Sequence, residues 1–107
     1  MVLDFLSSHR HARVHEHTSP DGSVAEWLSL AEHNDGEAYH HLGLAFSAGS
    51  HDVARDLIEA HKWFALAAAQ GHAVADACRA DIAGELTVRQ LNEARSRARL
   101  WLVVNNL

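Results

Sequence analysis

The sequence predicts an all-α domain, a short α-solenoid of about five antiparallel helices making up about two repeats. Three observations carry that prediction. Alanine supplies much of the apolar content, while β-branched and aromatic residues are scarce and Pro20 is the lone proline, a composition that suits closely packed helices and suits strands poorly. Apolar residues recur at helical spacing in windows separated by glycine or by capping chemistry. The three tryptophans, at 27, 63 and 101, stand 36 and 38 residues apart, and a period in the mid-thirties marks stacked helix pairs.

Residues 1–22 differ from the rest. They hold His9, His11, His15 and His17 and end in the turn chemistry of Ser19-Pro20-Asp21-Gly22. The expectation is a flexible, histidine-rich arm, followed by one helical domain over 23–107. Ser23-Val-Ala-Glu26 fits a capping box, in which the hydroxyl accepts from the third helical N–H and the carboxylate reaches back. A short helix to about Glu32 follows, closed by His33-Asn34-Asp35-Gly36.

The second helix is read from Ala38, Leu42, Ala45 and Phe46, with Gly49 able to take positive φ and stop it. The third begins at Asp52 or Asp56, carries Leu57, Ala60, Phe64, Ala67 and Ala68, and ends at Gly71. A fourth, dominated by alanine, runs from about Ala73 to Ala83. Thr87-Val-Arg-Gln90 is a second capping box, and Val88, Leu91, Ala94, Ala98, Trp101 and Leu102 give the fifth helix its apolar stripe.

The tryptophans sit in repeating surroundings. Trp27-Leu28-Ser-Leu30-Ala31 matches Trp63-Phe64-Ala-Leu66-Ala67, and Trp101-Leu102 opens a third copy. At these residues the chain resembles the Sel-one-like repeat family of bacterial type, relatives of the tetratricopeptide repeat. One full repeat carries the match. It comprises Ala38, Leu42, Gly43 and Phe46, then Gly49, then Asp56-x-x-x-Ala60-x-x-Trp63-Phe64-x-x-Ala67-Ala68-x-x-Gly71. Leu86 to Trp101 is similar to the closing helix of many bacterial members. The resemblance covers roughly residues 24–102.

That resemblance implies a scaffold or adaptor that assembles protein complexes, with no common active site to carry over. Solenoids bind on the concave side, lined by the first helix of each pair. The register places Tyr39, His40 and Leu44 there, with Asp81 in the position matching Leu44 on the next repeat. Two repeats are few for independent stability, so self-association or permanent docking on a larger enzyme or membrane complex is expected.

Other function classes find less support. The formal charge is −5 with the ten histidines neutral, whereas general nucleic-acid binding needs a basic footprint. Arg89, Arg95, Arg97 and Arg99 form a local stripe, read as a solvated helix face answered by acidic residues elsewhere. The serines read as caps and turns, and Cys78, the only cysteine, as a half-buried apolar residue. No phosphate-cradling loop or nucleophile elbow is present. The chain is therefore read as non-enzymatic, without a cofactor.

Imidazole suits zinc, nickel or copper, so His9, His11, His15 and His17 are metal candidates and metal binding is a third functional reading. His40, His41 and His61, inside predicted helices, are read as surface or boundary residues. The longest apolar run, Phe64 to Ala69, is too short to cross a bilayer. With no basic region and long apolar run at the start, the expected compartment is the cytoplasm.

Overall fold

The computed structural model describes residues 21–107, which form five α-helices and no strand. They are α1 (Val24–Ala31), α2 (Gly36–Ala48), α3 (Leu57–Ala69), α4 (Ala73–Ala83) and α5 (Val88–Val104). The arm expected over 1–22, with its four histidines, lies outside the described residues except for Asp21 and Gly22.

Every one of these helices starts on a side-chain cap. Ser23 and Thr87 form the two capping boxes: Glu26 N–H donates to Ser23 Oγ at 3.1 Å, and Gln90 N–H donates to Thr87 Oγ1 at 3.1 Å. The reciprocal bonds, from Ser23 N–H to Glu26 and from Thr87 N–H to Gln90, are both 2.9 Å. Asp35 caps α2 through Glu37 and Ala38 N–H. Asp56, rather than Asp52, caps α3 through Ile58 and Glu59 N–H. Asp52 sits instead in the preceding turn at φ 67°. Each such cap is worth about 1 kcal/mol.

The stops are glycine-based where the chain must reverse. Gly49 ends α2 at φ 69°, and Gly71 follows α3 at φ 86°, both in the left-handed region that other residues enter at a cost.

The α2–α3 hairpin is the heart of the domain. Trp63, Phe64, Tyr39 and Leu42 are fully buried there with Ala38, Ala45, Ala60 and Ala67. Gly43 makes the crossing possible, because a Cβ at that position would stand 2.5 Å from the Phe64 ring. The small residues on the facing sides thus let the two helices approach, and the aromatic ring fills the gap left by the missing side chain. Trp27 of α1 is also buried and lies against His41 and His51, with centroid distances of 5.2 and 4.9 Å.

Helix α3 is the hub, contacting α2, α4 and α5, while α4 and α5 hardly touch although they are consecutive. Helix α5 returns to the hairpin instead. Trp101 meets Trp63 edge-on at 4.8 Å, and its Nε1–H donates to Tyr39 Oη at 3.2 Å. Tyr39 Oη in turn donates to Asn34 Oδ1 at 2.8 Å. Arg97 reinforces the same seam through Glu59 at 2.8 Å and Glu93 at 2.8 Å; the bonds to Glu93 and Glu59 hold its guanidinium above the ordinary arginine range.

Two expectations about side-chain placement are corrected. His40, His41 and His61 are not surface residues; their exposures are 9%, 8% and 3%. Helical periodicity puts them on faces that the neighbouring helices cover, and a neutral imidazole is small and apolar enough to be enclosed. Tyr39 is not on an open face either. It is completely buried under Trp63, whose ring stacks on it at 5.9 Å, and under Trp101.

A candidate interaction groove between α2 and α4

Helices α2 and α4 both pack on α3; their starts meet where His72 reaches Glu37 and His40, and their last turns border a common depression. At their far ends Leu44 and Ser47 of α2, Phe64 of α3, and Cys78, Asp81 and Ile82 of α4 line a groove of about 190 Å³. Its floor is apolar: Phe64 and Ile82 are buried, Cys78 is half-buried, and Leu44 is 41% exposed on the rim. Asp81 stands exposed on the opposite rim, with no ion pair to any described residue.

The Cys78 thiol is pushed up by burial and then by the neighbouring Asp81 carboxylate. It is a protonated, weakly polar lining group at neutral pH rather than a thiolate nucleophile. Among the described residues no group of three or more His, Cys, Asp or Glu stands close enough to hold a metal ion.

A second depression, of about 460 Å³, lies where the two helices begin, lined by Gly36, Glu37, Gln70, His72 and Val74 among others. It is more polar, and histidines organise it. His72 caps α4: Ala75 N–H donates to His72 Nδ1 at 3.1 Å. That bond needs a lone pair on Nδ1, so the proton of a neutral ring sits on Nε2, which lies 2.7 Å from Glu37 Oε2. His40 stacks on His72 at 4.3 Å and touches Phe64 at 5.6 Å. Burial first, and the adjacent His72 second, push the His40 imidazole below the ordinary histidine range, against a smaller opposing pull from Glu37. Its Nδ1 is buried with no partner among the described residues. The stack therefore closes the α2–α4 seam between the two depressions.

His61, on the side of α3 that meets α4 and α5, is held neutral more simply. Burial lowers it first, then the positive charges of Arg79 and Arg95. Both of its ring nitrogens are buried without a partner among the described residues.

The four residues singled out in the sequence for a binding face are distributed as follows. Leu44 and Asp81, matched only by repeat register, line the same groove. His40 lies on the same side of α2 but inside the seam, where it packs rather than presents. Tyr39 belongs to the core. The metal candidates His9, His11, His15 and His17 lie outside the described residues. His72 was missed as a cap, since imidazole is outside the usual capping set of Ser, Thr, Asp and Asn; the signal was its place between Gly71 and an alanine-rich helical run. The chain matches none of the protein-family models, curated proteins or solved structures with which it was compared.

Proposed function

We propose that this chain is a non-enzymatic binding module of the Sel-one-like repeat type, a scaffold or adaptor whose α2–α4 groove takes a segment of another protein. One observation carries the reading. Two positions assigned to a binding face by repeat register alone, Leu44 and Asp81, line one apolar-floored groove with an open aliphatic rim and an unpaired carboxylate. A groove of that kind suits an amphipathic segment whose aliphatic side chains enter it beside a basic residue. The Gly43–Phe64 crossing and the burial of Trp27 and Trp63 support the repeat assignment, since they are what the motif's small and aromatic positions are for.

The alternative is an accessory subunit stably docked on a larger enzyme or membrane complex. It is favoured by the exposure of Leu100, Val103 and Val104 on α5, at 62%, 72% and 67%. No helix among the described residues is long and apolar enough to cross a membrane, so docking on a membrane complex would be peripheral as far as these residues go.

The test is quantitative affinity purification from the native cell, comparing the wild-type chain with Leu44→Asp/Asp81→Lys and with Val103→Asp/Val104→Asp. Helicity is checked by circular dichroism. Loss of a stoichiometric partner only with the groove variant supports the adaptor reading; loss only with the α5 variant supports the accessory subunit. A partner set unchanged by both variants rejects the two surfaces together.

A further inference from the structure

The large aliphatic side chains that stay exposed on the described helices fall into two places. Leu44 and Val74 stand along the α2–α4 face; Val88, Leu100, Val103 and Val104 stand on α5, with Leu107 just beyond its cap. The two places differ in charge. On the α2–α4 face Glu37 is taken up by His72 and Asp76 by Arg79 at 2.9 Å, Arg55 donates to the Ser47 carbonyl at the end of the groove, and Asp81 is the carboxylate there that has no ion pair with a described residue. Helix α5 carries Arg89, Arg95, Arg97 and Arg99 against Glu93 alone. Arg97 is spent on Glu59 and Glu93, while Arg89, Arg95 and Arg99 are exposed and make no ion pair with any described residue.

The spacing on α5 is as telling as its charge. Leu100, Val103 and Val104 stand at i, i+3 and i+4, the pattern with which an amphipathic helix enters a groove, and helical spacing puts Arg99 at the edge of that stripe beside Val103. Ala98 and Trp101 pack against the hairpin core, while Leu100, Val103 and Val104 stay exposed, Leu100 and Val104 on the rim of a depression that Trp101, Lys62 and Arg97 also line. The chain therefore carries both halves of one recognition: an apolar-floored groove rimmed by an unpaired carboxylate, and an aliphatic helix face flanked by unpaired guanidinium groups. Helix α5 cannot reach the groove of its own chain, because it is fixed on α3 and on Tyr39 by Trp101 and Arg97.

We infer that the groove's occupant is the outer face of α5 from a second copy of this chain, with Leu100, Val103 and Val104 entering beside Leu44 and an α5 arginine meeting Asp81. This rests on the groove reading above and names its partner. The contact joins two different patches, so it is heterologous: each copy keeps one free groove and one free α5 face, and assembly continues into a ring or a chain. A symmetric α5–α5 pair is disfavoured, since it would set two arginine-rich helices against each other.

The test begins with sedimentation of the full chain over a micromolar-to-millimolar series at low salt. Average mass is expected to rise past that of a dimer and to fall again when salt is added. Leu44→Asp and Val103→Asp/Val104→Asp should each sediment as monomers with helicity kept. Mixed together, they should give a heterodimer and nothing larger, because one retains only the α5 face and the other only the groove. A wild-type chain that stays monomeric throughout overturns the inference, as does a dimer that tolerates Leu44→Asp. Should either aspartate variant fail to fold, Val104→Cys decides the matter, since Cys78 in the groove is the only native thiol. Mild oxidation then yields a disulfide-linked ladder through Cys78 if α5 enters a neighbour's groove, and dimers joined only through the introduced thiol if it does not. A strictly monomeric chain whose other partner is still lost with Leu44→Asp/Asp81→Lys would sink this inference and leave the binding-module reading standing.

Discussion

The two halves of the domain obey the same helical rules and pack very differently. In the α2–α3 hairpin the ring of Phe64 occupies the space above Gly43, and all the largest fully buried side chains except Trp27 lie on these two helices. In the α4–α5 half only Ala75, Ile82 and Ala94 are buried, and the two helices lean on α3 rather than on each other. The difference is one of side-chain volume. An alanine-rich helix such as α4 forms readily but brings little area to bury, so its position leans on a few polar contacts, the His72 cap and the His40 stack, as that of α5 leans on the Arg97 pairs and the Trp101 bond. Close packing fixes the first half; hydrogen bonds and protonation states fix the second.

That contrast is most easily broken at Gly43. Gly43→Ala forces a methyl into the Phe64 ring and should cost about 3 kcal/mol in urea unfolding, as overpacking does. Gly84→Ala, at the end of α4 with only the Asp81 carbonyl 3.4 Å away, should change stability by no more than about 1 kcal/mol. Equal effects at the two sites would remove the distinction between the halves.

Acidification should act on the other side of the comparison. Burial holds His40 and His61 below the ordinary histidine range, so between the unfolded value of about 6.5 and their lower folded values the unfolded chain binds protons that the folded one refuses. Stability is therefore full above about pH 6.5 and falls as the pH drops below it, by up to about 1.4 kcal/mol per pH unit for each histidine. His61→Leu should flatten the profile. A urea midpoint independent of pH across that window would show that these imidazoles are not held neutral. Hydrogen exchange should locate the acid-induced loosening at α4 and α5, because both histidines lie on seams of α3 or α2 with that half.

Smaller effects sharpen the picture. Tyr39→Phe leaves Trp101 Nε1 and Asn34 without their shared partner and should cost about 1–2 kcal/mol, with exchange protection lost mainly in α5. His72→Ala removes a cap and should cost about 1 kcal/mol, and His72→Asn should restore most of it. Failure of asparagine to rescue would mean that the contact with Glu37, rather than the cap, is what His72 contributes.

Much of this was legible in the chain. The Ser23 and Thr87 capping boxes, Asp56 as one of two candidate caps, the stops at Gly49 and Gly71 and the α4 boundaries follow from local chemistry. Leu44 and Asp81, paired in the sequence reading, do line one groove. The histidines did not follow, because helix periodicity gives a face but not what covers it, and a neutral imidazole enters a core at modest cost. Tyr39 failed for a related reason. Its neighbour across the seam, Trp101, is 62 residues away in the chain, and no local pattern announces that pairing.

The same long reach sets an order on events during synthesis. Helices α1 to α3 hold all of the largest fully buried side chains and can dock before Trp101 has been made. Tyr39, already bonded to Asn34, then keeps a free lone pair on its hydroxyl until Trp101 emerges and brings α5 down onto the hairpin. The last turns of α5 act as a latch on a nearly finished core. A stalled or clipped nascent chain lacking them would present a folded hairpin with its aromatic seam uncovered, a surface that chaperones and proteases are suited to detect.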